Sequence, residues 1–195
     1  MKFFYVNTED GYARAYYDLQ KSEEYECEEC GEVYMSKRIG NYRTHFEGKK
    51  IGDFYRAPGC YIGNKNFLNM LEKHCITGYG IRDIDCTGWY DKRGNLINED
   101  ASSLKEIEIL GKCGYMCDVD GNEIERCKKC GTIDFWVQKK INGISVPLAS
   151  WDGTDIFSFK NWQGVMICSE RLKEACEKEK IRNISFKPVK DVRFS

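Results

Sequence analysis

The hydrophobic and polar positions of the chain alternate in several segments that we predict to be β-strands. Residues 2–6 form an aromatic and apolar run, and apolar and charged residues alternate over 104–110. Both patterns are typical of strands, and the second is typical of a strand with one buried face. Glycines interrupt the stretch from 77 to 100, which therefore predicts loops and short strands. Asp120-Gly121 predicts a tight hairpin turn.

Helical spacing of apolar residues predicts two helices. Over residues 64–75 one face is apolar, and Asn66 is the expected N-cap. The residues on this face are Phe67, Leu68, Leu71 and Cys75. A second helix is expected over 170–180, with Ser169 as its N-cap. Its inner face consists of Leu172, Ala175 and Cys176.

The tail of the chain predicts a strand–helix–strand unit over 150–189. A buried strand at 164–168 precedes the second helix, and an alternating strand at 183–189 follows it, with Ile184 and Phe186 on one face. Together these patterns predict a single α+β domain spanning 1–195, with a mixed sheet and a few helices.

Composition and charge narrow the functional classes. The chain has 195 residues, 42% of them hydrophobic, which indicates a globular protein rather than a disordered one. Thirty basic and thirty-one acidic residues give a formal net charge of −1, which argues against a broadly basic nucleic-acid-binding protein. No apolar run has the roughly 7–15 residues of a secretory signal or the ~18 of a membrane span. We therefore expect a cytoplasmic protein without a membrane partner.

Two short motifs suggest chemistry for some of the eleven cysteines. The sequence CEECG spans 27–31, and CKKCG spans 127–131. Two cysteines separated by two residues can bind one metal ion from a tight turn, and zinc accepts four such thiolates. The glycine after each pair allows the backbone to turn and its amides to approach the sulfurs. The motifs therefore predict a structural zinc site, with zinc-ribbon-like knuckles at 25–36 and 123–137.

The zinc ligands can be chosen in two ways. In the first, Cys27 and Cys30 join Cys127 and Cys130, although 96 residues separate the two pairs. In the second, Cys113 and Cys117 join Cys127 and Cys130 across the Asp120-Gly121 turn. We favour the long-range site because the local site would leave the well-formed first knuckle without partners. A redox role for CxxC fits less well, since a redox pair usually begins a helix and the glutamates here would raise the thiol pKa.

Residues suited to catalysis are few. The two histidines, His45 and His74, lie in different contexts, and no phosphate-binding loop, zinc-protease motif or nucleophile elbow occurs. We therefore expect a protein that is not an enzyme.

Both CxxCG motifs and the tail carry a resemblance to a known family. With CEECG, CKKCG and DGTDIFSFKNWQGVMICSERLKEACEKEKIRNISFKPV (152–189), the sequence resembles the bacterial double-CxxCG motif family. The relatives of that family are immunity proteins of polymorphic toxin systems. The resemblance implies a non-enzymatic protein that binds and neutralises a cognate toxin domain in the cytoplasm. It also supports pairing the first knuckle with the second, but it does not account for Cys113 and Cys117.

Several features of the sequence suit a protein-binding role. Several aromatic residues are flanked by polar residues in the sequence, and the cores of protein interfaces are enriched in tyrosine and tryptophan. They are Tyr12, Tyr16, Tyr17, Trp89, Tyr90, Trp151 and Trp162. Six glutamates between residues 23 and 32 would suit a basic toxin. A zinc-ribbon protein that binds nucleic acid or has a regulatory role is the alternative, although the acidic first knuckle makes nucleic acid a poor partner.

Overall fold

The computed structural model describes residues 1–194, apart from the side chains of residues 34–36. The side chains at the end of the first knuckle segment, 25–36, and the last residue of the predicted domain, 1–195, therefore lie outside the described part. Within that part the chain forms fifteen strands and three α-helices, arranged in mixed sheets. The predicted α+β class is confirmed.

The elements are numbered in chain order. The strands are β1 (Phe3–Asn7), β2 (Arg14–Tyr17), β3 (Ser22–Glu26), β4 (Val33–Arg38), β5 (Tyr42–Glu47), β6 (Phe54–Ala57), β7 (Cys60–Gly63), β8 (Tyr79–Tyr90), β9 (Lys105–Ile109), β10 (Gly111–Cys113), β11 (Cys117–Asp118), β12 (Ile144–Ser145), β13 (Ile156–Phe159), β14 (Trp162–Ser169) and β15 (Ser185–Pro188). The helices are α1 (Lys65–Lys73), α2 (Phe135–Gln138) and α3 (Glu170–Lys178). Two short 3-10 turns occupy Leu148–Ser150 and Val189–Asp191.

A five-stranded sheet has the strand order β10-β13-β14-β1-β15. β1 lies between β14 and β15 and is antiparallel to both, so the tail forms a strand–helix–strand unit split by β1. Side chains alternate between two buried faces, since Phe4 and Met166 enter one core while Phe3 and Ile167 enter another. This double burial explains why strand 164–168 reads as continuously apolar.

A six-stranded sheet has the strand order β2-β5-β8-β9-β7-β6. It is antiparallel except for the β5–β8 pair. The sheet curls, so that its edge strands β2 and β6 come within 8 Å of each other between Cα atoms. The enclosed core includes Phe46, Tyr55 and Trp89. Helices α1 and α3 cover the core where this sheet meets the five-stranded one.

The prediction of loops and short strands over 77–100 is correct after residue 90, where Gly94 lies in a turn. It is wrong for 79–90, because β8 is a continuous strand of 12 residues. Its first half pairs with β9 and its second half with β5. The two glycines within this strand, Gly80 and Gly88, are sites of close packing. A Cβ on Gly88 would lie 2.5 Å from the Tyr90 hydroxyl oxygen. Glycine is required there by contact rather than by a turn.

The helix prediction for 64–75 is correct in kind but wrong at both ends. The N-cap is Asn64, whose side chain accepts hydrogen bonds from the amides of Asn66 and Phe67. The side chain of Asn66 donates instead to Asp53. Cys75 lies beyond the helix with a φ of 50° and is exposed, so it does not belong to the apolar face.

The tail helix has the predicted inner face, since Leu172, Ala175 and Cys176 are buried. Ser169 occupies the N-cap position, but its hydroxyl makes no capping hydrogen bond. It donates to Asp155 at 2.7 Å, and the Arg171 guanidinium donates to the same carboxylate at 2.9 Å. The Asp-Ile-Phe and Ser-Glu-Arg segments of the tail are thus joined by direct contact.

The two knuckles belong to different parts of the fold. The first connects β3 to β4, which form a separate two-stranded sheet that we call the ribbon (Ser22–Arg38). The buried side chains of Ile124 and Ile133 flank the second knuckle and pack into the core on one face of the five-stranded sheet. Any link between the knuckles therefore joins the ribbon to the five-stranded sheet.

Candidate metal centre

The two knuckles have the same backbone conformation. In each, the amide of the first cysteine donates to the carbonyl of the residue after the glycine, and the glycine amide donates back to the first cysteine. The distances are 2.9 and 2.8 Å around Cys27 and 2.9 and 2.9 Å around Cys127. Gly31 and Gly131 have φ angles of 73° and 83°, in the left-handed region that favours glycine. The repeated sequence thus forms a repeated turn.

The turns bring four sulfurs together. The Sγ atoms of Cys27 and Cys127 lie 3.9 Å apart, and those of Cys30 and Cys130 lie 3.6 Å apart. All four Sγ atoms lie within 4.8 Å of one another. A tetrahedron with metal–sulfur bonds of about 2.3 Å has sulfur–sulfur edges of about 3.8 Å. The cluster therefore has the size and the donor set that a tetrahedral thiolate-bound metal requires.

Hydrogen bonds from Thr132 polarise one side of the cluster. The Thr132 amide approaches Cys130 Sγ at 3.5 Å, and the two side chains are 3.2 Å apart. Desolvation raises the pKa of Cys130, but these hydrogen bonds outweigh it and lower the pKa to about 6. At Cys30 a backbone hydrogen bond with Glu32 lowers the pKa, whereas desolvation and the neighbouring sulfurs raise it to about 12. A cation bound by the four sulfurs would release the protons of the thiols that it ligates.

Contacts around the cluster hold the knuckles against each other. Lys129 of the second knuckle forms an ion pair with Glu28 of the first. Behind the second knuckle, the Arg126 guanidinium lies 4.0 Å from the centre of the Tyr115 ring. A Cβ on Gly131 would lie 2.3 Å from that ring. The second knuckle is therefore packed against the protein, whereas the first is held mainly through the second.

The structure does not group Cys113 or Cys117 with Cys127 and Cys130. Cys113 is buried, and its sulfur lies 3.9 Å from the Pro147 carbonyl oxygen. Cys117 contacts the Tyr115 carbonyl oxygen at the same distance. Desolvation raises the pKa of both thiols, which therefore stay protonated. The arrangement found is the long-range one.

His45 belongs to a polar network that the sequence patterns did not reveal. Its Nδ1 lies 2.7 Å from Asp18, and its Nε2 lies 3.8 Å from Glu47. Thr87 donates to the other oxygen of Asp18, so the network joins β2, β5 and β8. Tyr16 stacks on the imidazole with ring centres 5.3 Å apart. His74 instead contacts Glu179 at 2.8 Å, between the ends of α1 and α3.

Only some of the aromatic residues selected from the sequence are exposed. Tyr16 and Tyr17 are exposed, at 38% and 39%. Trp89 is buried, and Trp151 and Trp162 pack against a core, so these three do not face a partner. Two aromatics that the sequence reading did not select are far more exposed: Phe135 at 53% and Trp136 at 68%. They form α2, directly after the second knuckle, where Asp134 caps the helix. The sequence signal that could have indicated their exposure is that the two aromatic residues are adjacent within a short polar segment.

Comparison with models of known protein families and with curated proteins finds no match for this chain. Its similarity to the double-CxxCG family therefore rests on the two motifs and the tail, and membership stays a prediction. Among the described residues, no helix combines the length and the apolar character needed to cross a membrane. The cytoplasmic location also stays a prediction.

Proposed function

We propose that Cys27, Cys30, Cys127 and Cys130 hold one structural zinc ion. The supporting observation is the cluster of four Sγ atoms within 4.8 Å of one another, from two turns of identical backbone conformation. Four thiolates in tetrahedral positions are the ligands of structural zinc sites, which leave no coordination position for a substrate. Bound zinc supplies folding energy by linking its ligands. Here it would link the ribbon to the five-stranded sheet.

Metal content tests the zinc proposal. We expect about one zinc per chain, and we expect Cys27→Ser or Cys130→Ser to lose both the metal and thermal stability. Cys117→Ser is the matched control, because its sulfur lies outside the cluster, and it is expected to keep the metal. A protein purified without zinc, or metal loss in Cys117→Ser alone, would contradict the proposal.

We also propose that the protein is an immunity protein that binds and neutralises a cognate bacterial toxin in the cytoplasm, without catalysing a reaction. The support is the resemblance of its motifs and tail, together with two features that suit protein binding. One is the exposed, charged ribbon, and the other is the pair Phe135 and Trp136. Zinc would then have a structural role, and the surface that it positions would bind the toxin.

Co-expression with the neighbouring toxin gene tests the immunity function. The unaltered chain should protect cells from the toxin and co-purify with it. A catalytically inactive toxin should bind equally well, because neutralisation here depends on association rather than on a reaction. The proposal is overturned if the chain does not protect the cells and does not co-purify with the toxin.

A nucleic-acid-binding function is the second candidate, and it is favoured by the surroundings of α2. The Lys139 Nζ lies 4.5 Å from the centre of the Phe135 ring and 5.7 Å from that of Trp136. Lys128 and Lys140 are also exposed nearby in the sequence. Exposed aromatic rings among lysines can stack on the bases of single strands. Binding of single-stranded DNA or RNA oligonucleotides at low salt, abolished in Trp136→Ala, would support this candidate, and no binding would exclude it.

A further inference from the structure

The first strand of the ribbon is exposed along its whole length. All five residues of β3 are exposed. Four large apolar side chains on and beside the ribbon are exposed as well. They are Leu19, Tyr25, Val33 and Ile39. Leu19 and Ile39 line one shallow depression at its base, together with Gln20 and the basic residues Lys21 and Arg43. A polar ribbon that serves only as a spacer would not need this group of apolar side chains.

The charge of the ribbon indicates what covers it. Between Ser22 and Val33 the sequence has six glutamates and no lysine or arginine. Glu28 pairs with Lys129, whereas Glu24, Glu29 and Glu32 have no ion pair among the described residues. A second copy of this chain that placed the two glutamate segments face to face would bring like charges together, which is unfavourable. A protein surface with lysine or arginine facing these glutamates, and with an apolar patch beside them facing Leu19 and Ile39, would complement both features.

The ribbon is also held in place before any partner arrives. A two-stranded sheet alone is marginally stable. This one is anchored to the six-stranded sheet by the buried ion pair of Arg38 with Glu106, and to the second knuckle by the cysteine cluster. A surface fixed in its bound conformation loses less entropy on association.

We propose that the ribbon, with Leu19 and Ile39 at its base, is the surface that binds the toxin, and that the toxin presents a basic surface to it. This assignment rests on the proposed immunity function. Its glutamates accelerate association by attracting the basic partner, and its apolar side chains slow dissociation.

Charge neutralisation tests the role of the glutamates. The variant carries Glu24→Gln, Glu29→Gln and Glu32→Gln, and the matched control carries Glu99→Gln, Glu174→Gln and Glu177→Gln, three exposed glutamates elsewhere. The probe is the catalytically inactive product of the neighbouring toxin gene. We expect the ribbon variant to associate about tenfold more slowly at low salt, with little difference at high salt, and the control to behave like the unaltered chain.

Apolar substitution tests the base of the ribbon. Leu19→Ser with Ile39→Ser should raise the Kd about tenfold, mainly through faster dissociation. Leu96→Ser with Leu148→Ser, two exposed leucines elsewhere, is the control and should change the Kd little. Zinc content and melting temperature of every variant verify that the fold is kept.

The outcomes separate this assignment from the proposed function. Toxin binding by the unaltered chain that persists unchanged in both ribbon variants overturns the ribbon assignment alone. The same holds if the chain dimerises through Leu19 and Ile39 when free. No binding by the unaltered chain overturns the immunity function and the ribbon assignment together.

Discussion

The Arg38 guanidinium on β4 donates a hydrogen bond to the Glu106 carboxylate on β9, and both side chains are largely buried. Arg38 also lies over the Tyr42 ring, 5.1 Å from its centre. This ion pair connects the ribbon to the six-stranded sheet at one end of the ribbon, and the cysteine cluster lies at the other end. It is the ribbon's only ion pair with that sheet among the described residues.

Glu106→Gln should therefore destabilise the protein by about 3 kcal/mol, because it leaves the buried Arg38 charge without its partner. Denaturant unfolding measures the change. Glu108→Gln, two residues along the same strand, is the control. Its ion pair with Arg82 is long and about half exposed, so its loss should cost less than about 0.5 kcal/mol. If the two substitutions lowered the free energy of unfolding equally, the buried Arg38–Glu106 pair would contribute no more to stability than the exposed Arg82–Glu108 pair.

Gly131→Ala should destabilise the protein more than Gly31→Ala does. Both substitutions place alanine at a positive φ, which costs about 1 kcal/mol. At Gly131 the new Cβ would also collide with the Tyr115 ring, adding about 1–3 kcal/mol, whereas the space beside Gly31 is open. Melting temperatures of the zinc-loaded variants distinguish the two costs, and a larger loss in Gly31→Ala would contradict the packing described for the second knuckle.

Ser169→Ala should reduce stability by about 1–2 kcal/mol, because it leaves the buried Asp155 carboxylate without its 2.7 Å hydrogen bond. The loss would not come from helix capping, since the Ser169 hydroxyl caps nothing. Ser102→Ala, at an exposed position, should change the free energy of unfolding by less than about 0.5 kcal/mol. If Ser169→Ala behaved like this control, the contact between the two tail segments would be energetically unimportant.

Stability should fall at acid pH through Asp53. Burial raises its pKa, but hydrogen bonds from Arg182, Asn64 and Asn66 outweigh burial and hold the pKa well below its ordinary value of 3.8. A carboxyl group with a lowered pKa contributes stability above its unfolded pKa of about 4, and this contribution is lost as the pH falls below that value.

Asp53→Asn should therefore cost about 2 kcal/mol at pH 7 and progressively less below pH ~4. Unfolding free energies of the two proteins from pH 7 to pH 3 measure the difference. Parallel pH profiles would show that Asp53 does not contribute in this way.

The sequence predicted those elements whose pattern is set by burial on one face. The α3 face of Leu172, Ala175 and Cys176 is such a case. The alternation over 104–110 predicted the strand β9 but not its burial, because Glu106 is buried as well as Ile107. The close approach of the two cysteine pairs was predictable because the same short motif occurs twice, even though 96 residues separate Cys30 from Cys127. The metal itself stays a prediction.

What the sequence could not provide depended on long-range contacts. Gly88 was read as a loop residue because the Tyr90 ring above it is visible only in the folded strand. The Asn64 cap was missed because two asparagines compete, and the contact of Asn66 with Asp53 decides between them. The Asp18–His45–Thr87 network has no local signal, since His45 lies in β5, Thr87 lies in β8 and Asp18 follows the end of β2.

The position of β1 between β14 and β15 has a consequence for synthesis. β1 is made first among these strands, yet both of its neighbours lie beyond residue 160. At roughly 5–20 residues per second, a ribosome needs about 8–30 seconds to produce them. During that time the aromatic residues of β1 have neither neighbouring strand, and apolar surface exposed in this way is prone to aggregation. Ribosome stalling before residue 160 would leave this strand exposed for longest.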